Sequence, residues 1–264
     1  MKNLIFLFTL TIFATISVTA QTVDEILEEH FAVIGQDKLL ETNTFSTTGK
    51  IMQGQMEIPF TSYHKRPMYF RSEATFQGME IITAFDGEEG WAVNPFAGST
   101  DPIPMTAEQV DRMTLQADYD GMLHNYKAKD YQVEFIGTET VDDIETYVLK
   151  LTRPNGDIIN TYIDSENYVI LKTSTKMKMQ GVEVETESFY SNYKYVNDML
   201  SPFSLETKRD GQTVMQMTFD EVNYDLEIEE SLFALPEVTA PIDSTDTTDT
   251  DEVKDKIESE EKPE

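Results

Sequence analysis

Over most of the chain, hydrophobic and polar residues alternate with a period of two, which is typical of β-strands that bury one face. Four short turn sequences interrupt the alternation and predict hairpins at Gln77-Gly78, Asn155-Gly156, Gln180-Gly181 and Asp210-Gly211. The segments between such turns amount to about eleven strands. The pattern therefore predicts a mainly β protein with a strongly curved antiparallel sheet or barrel, because α/β folds with parallel strands need a regular alternation of strands and helices.

The side chains specify the register of two of these hairpins. Around Gln77-Gly78 one face becomes largely apolar if the expected pairs are Phe76 with Met79, Ala74 with Ile81, Ser72 with Thr83 and Phe70 with Phe85. Around Gln180-Gly181 the expected pairs are Met179 with Val182, Met177 with Val184, Lys178 with Glu183 and Lys176 with Glu185. The opposite charges in this second hairpin mark its water-exposed face.

The Asp210-Gly211 turn allows two registers. A two-residue turn would oppose Glu206 to Met215. A three-residue loop, Arg209-Asp210-Gly211, keeps apolar residues together by setting Leu205 opposite Met215 and Phe203 opposite Met217. We therefore expect the longer loop, with Gly211 in the left-handed conformation.

Two segments have a helical pattern. The first begins at Thr22, where Glu25 completes a T-x-x-E capping box, and it ends at Gly35. The second begins at Thr106, with Gln109 in the same role, and we expect it to end near Asp118. Both helices are amphipathic, so each has one face available to cover the sheet.

The two ends of the chain differ from the middle. Residues 1–20 have a short positive region, an apolar run and a small-residue site ending at Ala20, which predicts a secretory signal peptide cleaved after Ala20. A retained membrane anchor is the alternative. Residues 236–264 contain 11 acidic residues and three lysines with few strong hydrophobes, so we expect a disordered acidic tail. Residues 21–235 are long enough for a single core.

The composition excludes several classes of function. A formal net charge of −29 makes nucleic acid and anionic membrane surfaces poor partners. The absence of cysteine excludes disulfides, thiolate metal sites and thiol catalysis. The three histidines have no metal-binding spacing, and no nucleophile, phosphate-binding or dinucleotide motif occurs. We therefore expect no catalytic residues, no metal and no cofactor, and a secreted hydrolase of unrecognised type is a remote alternative.

Methionine is abundant, with 13 residues, several of them on strand faces beside other apolar residues. Ordinary core packing accounts for any one of them. As a set they also suit a surface that repacks around varied apolar ligands, because the methionine side chain is flexible and polarizable. A curved sheet with such a face, covered by two amphipathic helices, is a plausible lipid pocket.

One stretch of the sequence resembles a known family. Lys65-Arg66-Pro67-x-x-Phe70, Asp86-Gly87-x-x-x-Trp91 and Asn94-Pro95-Phe96 follow one another as in the LolA family of periplasmic outer-membrane lipoprotein carriers. The resemblance implies a half-open β-barrel with a helical lid over a hydrophobic cavity. It also implies that Arg66 hydrogen-bonds to the lid as a latch and that Phe70 lines the cavity. A strand-edge arginine paired with a nearby acid is the alternative for Arg66.

Together, the strand patterns and the resemblance predict a set of cavity-lining residues: Phe70, Phe76, Met79, Ile81, Phe85, Trp91, Met177, Met179, Val184, Met215 and Met217. The function we expect is a periplasmic carrier, a monomer, that binds acyl chains of lipoproteins or a related lipid. By the resemblance, it would receive them from an inner-membrane donor complex and deliver them to an outer-membrane acceptor. A lipid or lipoprotein sensor on the same scaffold is the alternative.

Overall fold

The computed structural model describes residues 21–179 and 181–236, so the expected signal peptide and residues 237–264 of the expected acidic tail lie outside the described part. The α-helices of this part are α1 (Val23–Ile34), α2 (Gln36–Glu41) and α3 (Ala107–Ala117). None of the helices in it has the length and apolar character needed to cross a membrane.

The described residues form thirteen β-strands, against the roughly eleven predicted. They are β1 (Thr44–Gln53), β2 (Met56–Lys65), β3 (Tyr69–Phe76), β4 (Met79–Phe85), β5 (Gly90–Asn94), β6 (Ser99–Pro104), β7 (Gln132–Val141), β8 (Ile144–Thr152), β9 (Ile158–Asp164), β10 (Ile170–Met179), β11 (Val182–Val196), β12 (Met199–Arg209) and β13 (Gln212–Tyr224).

All thirteen strands belong to one antiparallel sheet, in the order β6-β5-β4-β3-β2-β1-β13-β12-β11-β10-β9-β8-β7. The sheet is curved and does not close into a complete barrel, so β6 and β7 are its two edges. We call the face on which α1 and α3 pack the inner face, and the other the outer face. This half-open barrel with helices over its inner face confirms the predicted fold class.

Both predicted helices begin at their capping boxes. The Thr22 hydroxyl accepts the N–H of Glu25, whose side chain accepts the N–H of Thr22. Thr106 and Gln109 make the same reciprocal pair at the start of α3. The sequence did not predict α2, a single short helix that follows α1 directly after Gly35.

The two hairpins with a specified register pair as predicted. Phe76 lies opposite Met79 and Phe70 opposite Phe85. In the second hairpin, Lys176 lies opposite Glu185 on the outer face, and their charged groups are 3.4 Å apart. Neighbouring residues within a hairpin fix these registers, which is why the sequence alone was sufficient.

The predicted register of the fourth hairpin was wrong. The turn has two residues, Asp210 and Gly211, both with positive φ, and Arg209 pairs with Gln212. A bulge between Thr207 and Lys208 then shifts the pairing, so Leu205 lies opposite Met217 and Thr207 opposite Met215. A bulge inserts one residue on one strand only, and the alternation of side chains does not indicate where it occurs.

Two core clusters anchor the helices to the inner face. On α1, Ile26 and Leu27 pack against apolar residues of β8 and β9, chiefly Leu149, Leu151, Ile159 and Ile163. On α3, Met113 and Ala117 pack against Phe70 and Phe85. Because β3–β4 and β8–β9 lie towards opposite edges of the sheet, the helices cover the inner face from both sides.

Candidate functional site

A cavity of about 280 Å³ lies between the helices and the inner face. Its polar lining residues are His30, Gln36, Thr161, Thr173 and Ser201. Apolar and aromatic side chains form the rest of the wall: Ile34, Leu39, Met122, Leu123, Ile170, Tyr190, Tyr193, Met199, Leu200, Pro202 and Tyr224. Such a predominantly apolar wall with a few polar groups is the usual lining of a small-molecule site.

We call α1, α2 and the loop after α3 the roof of the cavity. The roof is held to the sheet through His30 of α1. Its Nδ1 lies 2.7 Å from the carbonyl oxygen of Tyr168, in the turn between β9 and β10. Burial lowers the pKa of His30, so the ring is neutral at neutral pH, and we assign the proton to Nδ1, which donates to this carbonyl.

Gly35 allows the roof to bend over the cavity. It ends α1 and begins α2 with a φ of 75°, a conformation that favours glycine. A Cβ atom at this position would lie 2.6 Å from the carbonyl oxygen of Asp198, in the turn between β11 and β12. The close approach therefore sets α1 and α2 against this turn, with Ile34 and Leu39 facing the cavity.

Arg66 lies where two parts of the roof meet. Its Nε donates to the carbonyl oxygen of Thr42 at 2.7 Å and its Nη2 to that of Leu39 at 3.0 Å, so it caps the end of α2. Its Nη1 forms an ion pair with Asp120, in the loop that follows α3. The guanidinium also lies over the ring of Tyr119, 4.3 Å from its centre. One side chain therefore joins α2 to the loop after α3.

Other contacts reinforce this junction. The hydroxyls of Tyr119 and Thr42 are 2.7 Å apart, and Gln36 donates to the carbonyl oxygen of Asp120 at 3.0 Å. Burial raises the pKa of Tyr119 to about 12, so its hydroxyl stays protonated and available for hydrogen bonding. Since Gln36 and Leu39 also line the cavity, the junction and the cavity share one wall.

An aromatic row on the inner face connects the α3 cluster to the cavity. Tyr224, Phe45, His64, Phe70 and Phe85 pair across β13, β1, β2, β3 and β4 in one line. The ring of His64 stacks on Phe45 with centres 4.2 Å apart. At one end the row is covered by α3, and at the other Tyr224 lines the cavity.

The predicted cavity-lining residues other than Met179 fall at three places in the structure. Phe70 and Phe85 lie in the packed cluster under α3, and Phe70 is only 2% exposed. A second group lies on the inner face towards the hairpin ends, away from the 280 Å³ cavity, and comprises Phe76, Met79, Ile81, Met177, Val184, Met215 and Met217. Met179 ends β10, but its side chain lies outside the described part of the structure.

Trp91 forms the third group and lies on the outer face, in one row with Arg71 and Ala84. Its indole Nε1 donates to the carbonyl oxygen of Phe233 at 2.9 Å, and the Arg71 guanidinium lies 5.2 Å from its ring centre. The buried ring of Phe233 fixes the segment after β13 against this face. Trp91 therefore anchors that segment and does not line the inner-face cavity, which corrects the sequence-based expectation.

The residues that line the cavity were missed because no simple alternation indicates them. Tyr190 and Tyr193 are three residues apart in β11, yet both line it. Asn192, with a φ of 56°, interrupts the alternation between them. The only sequence signal was the concentration of aromatic residues in this strand. Within residues 21–179 and 181–236, no group of three His, Cys, Asp or Glu residues is placed to hold a metal ion.

A protein-family model described only as an uncharacterized protein family matches residues 63–239. The chain belongs to that family. Among curated proteins, a sequence search finds no match. The matched segment contains Arg66 and most of the strands of the sheet, but it does not contain α1 or α2.

Solved structures show which fold the chain has. A LolA superfamily protein from Nitrosomonas europaea is similar at 17% identity and a TM-score of 0.54, covering 81% of this chain and 98% of that one. A DUF1329 family protein from Desulfovibrio piger has 13% identity and a TM-score of 0.55 (79% and 97% covered). An outer membrane lipoprotein-sorting protein domain from Vibrio parahaemolyticus has 12% identity and a TM-score of 0.53 (79% and 94% covered). These similarities confirm the LolA-like fold that the sequence resembles.

Proposed function

We propose that this protein is an exported carrier that binds acyl chains of lipoproteins, or of a related lipid, and delivers them to the outer membrane. The observation that carries the proposal is the apolar cavity between the inner face and a roof whose parts meet at Arg66. An acyl chain needs an apolar enclosure and a route in and out. A roof whose parts are joined by polar contacts at Arg66 supplies both, because those contacts break without unfolding the sheet.

The size of the cavity supports reversible binding. At about 280 Å³ it is close to the lower limit, about 300 Å³, of ordinary small-molecule sites, so it encloses only part of a long acyl chain. Each buried methylene contributes about 0.8 kcal/mol. Complete burial of several chains would hold the cargo too tightly for transfer. Partial burial gives a lower affinity, so the cargo can dissociate.

The inner face beyond the cavity supports a larger loaded state. Met177, Met215 and Met217 lie there half-buried, and Met79 is 36% exposed. These side chains adapt easily to different apolar partners. We propose that the rest of the acyl chain lies along them when the roof moves.

Arg66 is proposed to act as the latch of the roof. Its bonds to Leu39, Thr42 and Asp120 close the empty protein, and each is a single hydrogen bond or ion pair at a part-buried site. Together they contribute on the order of a few kcal/mol. Burial of a few methylene groups of an acyl chain contributes a similar free energy. Binding of the chain can therefore offset the loss of the Arg66 contacts when the roof opens.

The test is the binding of an environment-sensitive acyl probe to the delipidated protein, together with native mass spectrometry of lipid that copurifies from the periplasm. Leu200→Glu places a charge in the cavity wall and should abolish probe binding. Ile136→Glu, at a 51% exposed position on β7, is the matched control and should bind as the wild type does. Equal binding by wild type and Leu200→Glu, or no copurifying acyl lipid, would contradict the proposal.

A further inference from the structure

Thr161 is a buried residue of the cavity whose hydroxyl has no hydrogen-bond partner in the described part of the chain. It lies on the inner face in β9, lines the cavity, and is 1% exposed. Within the described part of the chain, no group forms a hydrogen bond with its Oγ1 atom. About nine in ten buried polar groups in proteins are hydrogen-bonded, so an unpaired hydroxyl at a cavity wall needs an explanation.

Three other polar side chains at the cavity each bond to a backbone carbonyl group. His30 bonds to the carbonyl oxygen of Tyr168, Gln36 to that of Asp120, and Tyr193 to that of Ile170. These bonds hold the roof and the strands together. The Thr161 hydroxyl makes no such bond, although the backbone of β9 pairs with both β8 and β10.

Two further hydroxyls lie beside it. Thr173 is directly opposite Thr161 on β10, and its Oγ1 lies 3.3 Å from the hydroxyl of Tyr190 on β11, at the long end of the hydrogen-bonding range. All three side chains line the cavity. Three adjacent strands therefore present a small group of hydroxyls, which we call the hydroxyl patch, in a wall that is predominantly apolar.

A structural role would favour valine over threonine at position 161. Valine has the same shape, suits a buried strand equally well, and leaves no polar atom unpaired. The hydroxyl therefore lowers the stability of the empty protein, and such a group is accounted for by a ligand that satisfies it.

We propose that the hydroxyl patch, through Thr161 Oγ1, binds an oxygen atom of the acyl ligand. The ligand class is then an acyl chain that carries a hydrogen-bonding oxygen, either a hydroxyl on the chain or the carbonyl of its ester, in preference to a plain hydrocarbon chain. This inference rests on the proposed carrier function and specifies its ligand. A threonine hydroxyl can donate to a carbonyl and can donate to or accept from a hydroxyl, so it fits both sources.

The experiment compares wild type, Thr161→Val and Thr146→Val as delipidated full-length proteins. The competing ligands are stearate, hydroxystearates with the hydroxyl at successive chain positions, and methyl stearate. The affinity of each ligand is measured by its displacement of the acyl probe. The hydroxystearates test the chain hydroxyl, and methyl stearate tests the ester carbonyl. Thr146 is the matched control, because it is equally buried but its hydroxyl donates to the carbonyl oxygen of Glu139 at 2.7 Å.

We expect the wild type to prefer at least one oxygenated ligand over stearate, and Thr161→Val to lose about two- to tenfold of that preference. Its affinity for stearate should not change. The melting temperature of Thr161→Val without ligand should rise by about 2 °C, whereas that of Thr146→Val should fall. Thr146→Val should keep the ligand preference.

Two results would overturn the inference. If Thr161→Val keeps the wild-type preference among the ligands, the hydroxyl does not contact the ligand oxygen. If Thr161→Val melts lower than the wild type, the hydroxyl has a structural partner. A wild-type protein that binds no acyl ligand at all would instead contradict the carrier function, and with it this inference.

Discussion

Arg153 and Asp111 form a two-pronged ion pair that joins α3 to the opposite side of the sheet. Arg153 Nη1 lies 3.0 Å from Oδ2 of Asp111, and Nη2 lies 3.1 Å from Oδ1. Arg153 belongs to the turn between β8 and β9, while α3 packs on β3 and β4. Eight strands separate β4 from β8 in the sheet, so this pair spans the open side of the half-barrel.

The surroundings of Arg153 strengthen the pair. Its side chain is 5% exposed and also contacts Asp157 and the hydroxyl of Thr114, while Asn155 donates to Asp111 at 2.8 Å. Bidentate pairing between arginine and carboxylate is both strong and directional. The α3 segment is therefore held at two points, by Arg153 in its middle and by Arg66 beyond its end.

Arg153→Met should loosen α3. The substitution keeps the apolar stem but leaves carboxylates without their partner, and we expect a loss of about 1–3 kcal/mol. The loss should stay below that of a fully buried pair because Asp111 is 44% exposed. Urea unfolding gives the loss, and hydrogen exchange should show faster exchange in α3. Arg112→Met removes the exposed pair with Glu108 on the same helix and should cost less than about 0.5 kcal/mol. Equal losses in both variants would contradict the bridging role.

Arg66→Leu should favour an open roof in the empty protein. The carbonyl groups of Leu39 and Thr42 lose their donor and Asp120 loses its ion pair, so exchange should accelerate over residues 36–41 and 119–123. Acyl probe should still load, but its release should slow because closure no longer competes with it. Arg66→Lys should be intermediate, since a single ammonium cannot make all three contacts.

Lys65→Met is the control for Arg66. Lys65 is the neighbouring residue, but its ammonium contacts the carbonyl oxygen of Ile228 and the carboxylate of Glu230 on the segment after β13. Its loss should leave exchange in the roof and probe release unchanged. Probe loading and release at wild-type rates in Arg66→Leu would show that Arg66 is not a latch.

Acidification should destabilise the protein through His64. Burial lowers the pKa of His64 to about 3, and its Nδ1 atom has no partner among the described residues. Above pH 6.5 the ring is neutral in both the folded and the unfolded chain, so protonation of His64 does not reduce the free energy of unfolding there. As the pH falls from 6.5 towards 3, the unfolded chain binds a proton that the folded one excludes. Stability should fall by up to about 1.4 kcal/mol per pH unit.

His64→Phe isolates this contribution. Phenylalanine fits the aromatic row between Phe45 and Phe70 and cannot be protonated. Urea unfolding at a series of pH values between 7 and 4 should show a shallower decline for the variant than for the wild type. Parallel declines would mean that His64 gains a proton while folded.

Phe70→Glu should unfold the protein, because Phe70 is enclosed by Phe85, Met113 and Ala117 and a carboxylate there has no partner. Met217→Glu should keep the fold, since Met217 is only half-buried on the inner face beyond the roof, but it should weaken binding of the acyl probe. Circular dichroism and probe fluorescence measure the two effects. A folded Phe70→Glu that fails to bind the probe would place Phe70 in the cavity wall.

The sequence by itself determined the local structure. The capping boxes at Thr22 and Thr106, the hairpin at Gln77-Gly78 and the ion-paired hairpin at Gln180-Gly181 depend on residues a few positions apart. Their propensities, charges and alternation agree, so each has one favourable arrangement. The motif at Arg66 also indicated the LolA-like fold, since its residues are spaced as in that family.

Only the tertiary structure decided where the cavity lies and which side chains face it. The contacts between Arg66 and Asp120, Arg153 and Asp111, and Trp91 and Phe233 join residues that are 54, 42 and 142 positions apart in the chain. These contacts depend on how far the sheet curves, and bulges and left-handed residues such as Asn192 set that curvature. Period-two alternation identifies the faces of each strand, but it carries no information about which part of a face the helices leave empty.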